Sequence, residues 1–458
     1  MKFFQEIVLP DQGLLEQQAD IKSFKPFKTG AQSDLNRPAR FYRIKQKTEQ
    51  GKQRQLLQVV DNLQNHYALK RQKDLLHYLN RFEKVFLRFN EIRKVDMRYL
   101  LFFEDGGKYT LKTVVRKKGG LSAKKTLQLM AELLKALEIL HHVGFVHAAI
   151  RPEAILMGKK RAYLIDWCQA LPELSSYETE LLPEECRYCP PERLNGQHDV
   201  KSDVYQLGCT LYFALTGKHI FRLEKEESVD RQIWAHTHHS IRKINRLPVF
   251  WRYLILWMTQ KDPQKRPGLL ELKDWLKHQT VPKWVRKQAH PSIEGYPDDC
   301  ISALADEHYD FAIYQKARRL EAEGKLESAF NLYENGAFRS YSLAEFRLGR
   351  MYLQGKCVSA SNSMAAHLFQ QASNKGHPTA AFNLAKMFEL GIGLHVDKEK
   401  AMRLYEYSAL RGDADAQYRL GQLFLHGENS DLNQAMSWLK LAAYYGYARA
   451  QVLLDEIT

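Results

Sequence analysis

The side chains best placed to do chemistry lie in one stretch, Val146–Trp167, VHAAIRPEAILMGKKRAYLIDW. His147, Arg151 and Glu153 fall in a tight polar loop around Pro152, and Asp166 closes the second of two short apolar runs. A lone carboxylate at a strand end can contribute to a magnesium site but cannot make one, because the ion needs further oxygen ligands. Ala149 and Ala154, which flank the centre of the loop, offer none. Cys186 and Cys189 form one C-x-x-C with no second pair at zinc-site spacing, and read as loop cysteines.

The elements that must position these residues are short. Ile155–Met157 and Ala162–Ile165 are joined by Gly158-Lys159-Lys160, which is turn chemistry between two strands. The loop and hairpin together resemble the catalytic loop and metal-binding strand of protein kinases, H-x-D-x-K-P-x-N-I-L followed by D-F-G. The spacing matches residue for residue, but the chemistry does not. Ala149 stands where the family has its catalytic Asp and Ala154 where it has its metal-binding Asn, which leaves Asp166 alone.

Three further motifs follow in the family's order. Arg187–Leu194, RYCPPERL, resembles the A-P-E segment; Ser202–Gly208, SDVYQLG, resembles the opening of the buried central helix; Asp262–Pro267, DPQKRP, matches D-P-x-x-R-P. The resemblance implies a buried ion pair between Glu192 and Arg266. It also implies that Asp203 accepts backbone hydrogen bonds from the catalytic loop and that His147 packs under the strand ending in Asp166. Upstream, residues 121–143 form an amphipathic helix with Leu127, Met130, Leu133, Leu134, Leu137 and Leu140 along its buried stripe, ended by Gly144. Residues 170–186, ALPELSSYETELLPEEC, are acidic and carry Ser175, Ser176, Tyr177 and Thr179, where phosphorylation would act as a charge switch.

The first lobe is harder to read. A kinase small lobe opens on a glycine-rich hairpin that closes over nucleotide phosphates, yet this region offers only Gly13 and Gly30 and no G-x-G-x-x-G. Ala39–Lys45, ARFYRIK, alternates as a strand and resembles V-A-I-K, making Lys45 the candidate strand lysine and Lys22 its rival. A solvated strand lysine is the plain alternative. Residues 53–81 show apolar positions at helical spacing, with Leu56, Val59, Val60 and Leu63 on one face and Leu75, Leu76 and Leu79 further on. No Glu stands there to hold a strand lysine; Asp61 is the nearest acid. Val85–Ile92 and Met97–Phe103 read as strands, and Glu104-Asp105-Gly106-Gly107 as the connection between lobes.

The chain has 458 residues and a formal net charge of +15, from 68 Lys and Arg against 53 Asp and Glu. Residues 306–458 hold 17 basic and 18 acidic side chains, so the positive field belongs to the first 305 residues. Six cysteines with no apolar leader fit a reduced cytoplasmic protein, and no apolar run approaches the roughly 20 residues of a membrane span.

Residues 286–305, with Pro291 and Pro297 among polar residues, read as a linker, and a new period begins beyond it. Leu348-Gly349, Leu384-Ala385 and Leu420-Gly421 recur every 36 residues, as do Ala344, Ala380 and Ala416. Ala329, Ala365, Ala401 and Ala435 mark a second helix in each unit, and Gly376, Gly412 and Gly446 its later turn. This is the signature of a helical solenoid. The pattern resembles Sel1-like repeats, relatives of the tetratricopeptide repeat, with three units in 342–458, a tetratricopeptide-like pair at 311–338 and a cap at Gln451–Ile457.

The expected fold is therefore an α+β bilobal kinase-like domain, with a small lobe over 1–107 and a large lobe over 108–285, followed by an all-α solenoid over 306–458. The first functional reading is a catalytically inactive scaffold or regulator that uses no cofactor and binds protein partners through the repeats. A second is an atypical nucleotide-dependent transferase, or weak kinase, using Asp166 with ATP and magnesium. A third is a basic surface module for an anionic partner; the clusters Lys45–Arg54 and Arg116–Lys118 favour it, but without interleaved aromatics they do not suit single-stranded nucleic acid. On this reading, removal of residues 306–458 leaves a folded first domain. The partner and the oligomeric state are not legible.

Overall fold

The computed structural model describes residues 15, 18–26, 39–48, 51–61, 66–95, 98–167, 170–172, 186–221, 228–241, 244–287, 296–411, 413–427, 430–444 and 447–457. Gly13, Gly30, Leu63, Met97, Ser175, Ser176, Tyr177, Thr179, Pro291, Gly412 and Gly446 lie outside the described residues.

The small lobe is an antiparallel sheet of β1 (Ile21–Pro26), β2 (Ala39–Thr48), β3 (Gly51–Asp61), β4 (Phe89–Val95) and β5 (Arg98–Glu104), in the order β1-β2-β3-β5-β4. The helix expected from residue 53 is corrected here. Residues 51–61 are the central strand, Asp61 pairs with Arg98 at its end, and the helix α1 starts later, at His66–Leu79. The cause is burial on both sides. Leu56 and Val60 pack toward the interlobe core while Leu57 and Val59 join Tyr42, Ile44, Leu100 and Phe102 on the outer face. A strand covered on both faces is apolar almost throughout, so its spacing imitates a helix. Leu75, Leu76 and Leu79 of α1 are buried as expected. Residues 85–88 are not strand; β4 begins at Phe89.

The large lobe is helical around the hairpin β8 (Ile155–Met157) and β9 (Ala162–Leu164), whose first strand pairs with β6 (Tyr109–Thr110). Helix α2 (Leu111–Lys118) leads into α3 (Ala123–His142), which is N-capped by Ser122 and ended at Gly144 with φ +73°. Its buried stripe contains the expected leucines and Met130, with Leu127 half-buried. β7 (Phe145–Val146) pairs with β10 (Leu171–Pro172). Helix α4 (Val200–Thr216) is buried from Ser202 to Ala214 and forms the centre of the lobe. Around it stand α5 (Val229–His238), α6 (Val249–Met258), α7 (Leu269–His278) and α8 (Lys283–Lys287).

The repeats begin with α9 (Cys300–Asp306), α10 (Asp310–Ala322) and α11 (Leu326–Phe338). The three expected units follow as α12 (Ser342–Gln354) with α13 (Asn362–Asn374), α14 (Pro378–Leu390) with α15 (Lys398–Ala409), and α16 (Ala414–His426) with α17 (Leu432–Tyr444); α18 (Ala448–Ile457) caps them. Ala344, Ala380 and Ala416 are fully buried. A Cβ on Gly349 would lie 2.8 Å from the Phe369 ring, and one on Gly421 2.6 Å from Leu439, so the small residues set how closely the paired helices approach.

The stretch expected to be a linker ends in a packed helix. Ile301, Leu304 and Ala305 of α9, with Phe311 and Ile313 of α10, form one apolar cluster with Cys186, Cys189 and Leu194 and with Ile233 and Trp234 of α5. Arg319 pairs with Asp230 at 2.6 Å, His238 with Glu307 at 2.8 Å, and the Asp310 amide donates to Asn195 Oδ1 at 3.2 Å. The repeats thus dock on the large lobe through an apolar face, where an open linker was expected. Each buried Leu, Ile or Phe in such a face is worth about 1.5–3 kcal/mol. A chain ending at residue 298 should aggregate or melt several degrees lower than one ending at residue 340, which keeps α9–α11. Equal melting of the two, followed by differential scanning fluorimetry, would mean that the cluster contributes nothing.

Candidate functional site

Asp203, in the first turn of α4, is fully buried and organises the loop from beneath. Its two carboxylate oxygens accept the backbone N–H groups of His147 and Ala148, each at 2.9 Å, and His141 Nε2 lies 2.9 Å from Oδ2. Burial pushes the Asp203 carboxyl up, but the hydrogen bond and charge of His141, with the His147 contacts, bring it below the usual carboxylate value. Gln206 continues the clamp, accepting from the Ile150 amide at 2.9 Å and donating to the Ala148 carbonyl at 3.1 Å. This grip holds Ala148 at φ +59°, a left-handed conformation that an alanine avoids.

His147 is buried and lies where the motif places it, under the strand that leads to Asp166. A carbonyl only accepts, so its contact with Ile165 O at 3.2 Å puts the ring proton on Nε2, and Nδ1 accepts from the Ala149 amide at 3.3 Å. Burial pushes the His147 pKa down, consistent with this neutral tautomer. Trp167 packs on it edge to face at 4.9 Å and meets Phe86 of the small lobe at 5.7 Å. One aromatic column thus joins the two lobes.

The charges of the loop are spent on one another. Asp166, at φ +68°, receives Arg151 Nη2 at 2.9 Å, and both side chains are nearly buried. Glu153 pairs with Lys112 of α2 at 2.5 Å. Ala149 and Ala154 are buried and bring no polar side-chain atom. Among the described residues, no group of three or more His, Cys, Asp or Glu side chains could hold a metal ion.

Lys45 does not enter this site. It is exposed on β2, opposite Ser23 and Arg54, and is not among the residues that line the cleft. The polar side chain that the sheet supplies to the cleft is Gln58 of β3, fully buried between Leu56 and Val60 in the same alternation. With Phe41, Leu87, Phe103 and the segment Leu164–Trp167 it lines a cavity of about 210 Å³, open space included. Sequence reasoning missed Gln58, Lys112 and Gln206. Reading QLLQVVD with a period of two would have placed Gln58 on the face of Leu56; nothing local marks the other two.

Glu192 and Arg266 form the expected buried pair, bidentate at 2.6 and 2.8 Å. Arg266 also donates through Nε to Gln260 O at 2.7 Å and stacks on Tyr205, while Ser202 Oγ donates to Glu192 at 2.6 Å. Removing either partner strands a charge. Glu192→Ala and Arg266→Ala should each cost about 3–5 kcal/mol, and the double variant much less than their total, measured by urea unfolding. His198 supplies a second test. It is buried with neither ring nitrogen hydrogen-bonded among the described residues. Burial, then the charge of Arg193, pushes its pKa down to about 3. The unfolded chain binds a proton below about pH 6.5 and the folded one does not, so this contribution is complete above that pH and is lost as pH falls toward 3. From pH 7.5 to pH 5 the loss is about 2 kcal/mol, and His198→Leu should remove that part of the acid sensitivity.

Comparison with known proteins agrees with this geometry. The family model for the protein kinase domain matches residues 40–280, and that for the Sel1 repeat matches 342–377, 378–413 and 414–447. The chain is 30% identical over 198 residues to the probable serine/threonine-protein kinase ireA of Dictyostelium discoideum, covering 41% of this chain and 19% of that protein. It is 28% identical over 213 residues to 3-phosphoinositide-dependent protein kinase 1 of Arabidopsis thaliana, covering 40% of this chain and 43% of that one. With the serine/threonine-protein kinase PknB of Mycolicibacterium smegmatis it shares 31% over 115 residues, 24% of this chain and 18% of the relative. The chain thus spans less than half the length of each of these relatives. It belongs to the protein kinase family, and its kinase domain is followed by three Sel1 repeats.

Proposed function

We propose that the kinase domain of this chain is a binding and folding platform without phosphoryl transfer, and that its repeats, which are protein-interaction modules, carry the contact with a protein partner. The observation that carries this reading is the ion pair between Arg151 and Asp166. Transfer from a nucleotide needs magnesium held on the strand-end Asp by a second ligand, a general base at the substrate hydroxyl, and a cation on the nucleotide phosphates. Here a guanidinium sits on the strand-end carboxylate, alanines stand at the base and second-ligand positions, and the neutral amide of Gln58 faces the cleft. A magnesium nucleotide does not fit this donor set.

Each of these losses would cost on the order of 10²–10⁴ in rate. They leave the packing intact, because the residues that hold the loop are not those that would do the chemistry. The family's architecture is thereby available as a rigid surface, with the solenoid seated on it.

Millimolar ATP with magnesium is expected to leave the melting temperature unchanged, whereas a ligand at 100 times its Kd would add about 2.7 kcal/mol. The double substitution Ala149→Asp with Ala154→Asn should not create a kinase, since Arg151 still holds Asp166. A magnesium-dependent shift that vanishes in Asp166→Ala would overturn this reading and favour the nucleotide-dependent enzyme.

A further inference from the structure

Between Asp105 and Glu132 the chain carries seven cationic side chains and no acidic one, and the β8–β9 turn adds Lys159, Lys160 and Arg161, again without an acid. The fold makes these one surface. Tyr109 and Thr110 pair with Met157 and Leu156, Gln128 Nε2 donates to the Lys160 carbonyl at 3.3 Å, and a Cβ on Gly107 would lie 2.6 Å from the Met157 carbonyl oxygen. Lys112 is used internally by Glu153. Lys117, Lys118, Lys124, Lys125, Lys159 and Lys160 are exposed, and none has an ion-pair partner among the described residues.

We propose that this face of the large lobe adsorbs the protein to an anionic phospholipid surface. Glu132, which accepts the Ala162 amide at 2.7 Å, and Glu104, near Tyr163, border this face, but the six exposed lysines outnumber them. Its net positive potential therefore extends over about a Debye length, roughly 8–10 Å at ordinary ionic strength. Its character is that of an unoriented charge layer. Arg116, Lys117 and Lys118 lie in the last turn of α2, where the carbonyl end of the helix disfavours a directly seated phosphate. Lys108 and Lys117 cover the ring of Tyr109 at 5.2 and 4.1 Å, so this aromatic is not presented for base stacking. Lysines, which act as point charges, outnumber arginines, whose forks read phosphate and base edges with fixed geometry. A planar array of headgroups asks only for summed charge. The face also uses α2, α3 and the hairpin, whereas the repeats dock on α5 and the segment Cys186–Asn195, so both surfaces can be occupied together.

The full chain should sediment with phosphatidylcholine vesicles containing phosphatidylserine and stay in solution with phosphatidylcholine alone, and the binding should weaken at high salt. Each lysine near such a surface contributes a factor of about five. Lys117→Glu with Lys118→Glu, and separately Lys159→Glu with Lys160→Glu, should therefore each weaken binding more than tenfold without moving the melting temperature. The charge-matched control, Lys277→Glu with Lys287→Glu, lies on other exposed positions of the lobe and should change binding less than twofold. Equal loss in the control would show that net charge alone is responsible, and the proposal fails. It fails equally if the vesicles do not retain the protein, or if random-sequence duplex DNA binds this face more tightly than the vesicles do.

Discussion

The large lobe depends on a buried carboxylate. Asp203 has no solvent to stabilise its charge, so the backbone of the His147 loop and the ring of His141 must do so. This requirement holds Ala148 in a left-handed conformation, seats His147 beneath the hairpin and fixes where Arg151 and Asp166 meet. Glu192 with Arg266 plays the same part beside the first turn of α4, where its hydrogen bonds tie the Pro190–Leu194 turn to Ser202 and to the segment before α7. The polar groups that stabilise this architecture are different atoms from those that line the cleft.

The charged side chains of the loop beside the cleft are paired with one another. A carboxylate left without a metal beside a cleft would be a costly buried charge, and Arg151 neutralises it. Glu153 is balanced in the same manner by Lys112. Where a cation would face nucleotide phosphates, Gln58 is neutral and fits among Phe41, Leu56 and Leu87.

The large lobe was legible in the sequence because its motifs are polar residues with fixed offsets to backbone groups. Glu192, Asp203, Arg266 and His147 lie where spacing and resemblance put them, and so do the repeat alanines, whose size is set by helix contact. The small lobe was less legible for a physical reason. β3 is buried on both faces, which erases the alternation that distinguishes a strand, so Gln58, the polar residue it turns to the cleft, is not legible, while Lys45 stands out through the V-A-I-K resemblance of β2. The pairing of Arg151 with Asp166 was hidden because both fit the family pattern taken singly; only their distance shows that one occupies the other. The docking of α9 and α10 was hidden too, since Ile301, Leu304 and Phe311 are what any amphipathic helix would bury.

The docked solenoid makes the position of the repeats a property of the large lobe, because α5 and the end of the Cys186–Asn195 segment share one core with α9 and α10. A partner bound along the repeats would thus be held in a fixed relation to the kinase domain. The most direct measurement is a crystal structure of the full chain grown with millimolar ATP and manganese, using the metal's anomalous signal to search the cleft. The expected map shows Arg151 on Asp166, Gln58 in its apolar setting and no anomalous peak between the lobes. A manganese peak on Asp166 with Arg151 swung away and nucleotide density beneath β3 would contradict it.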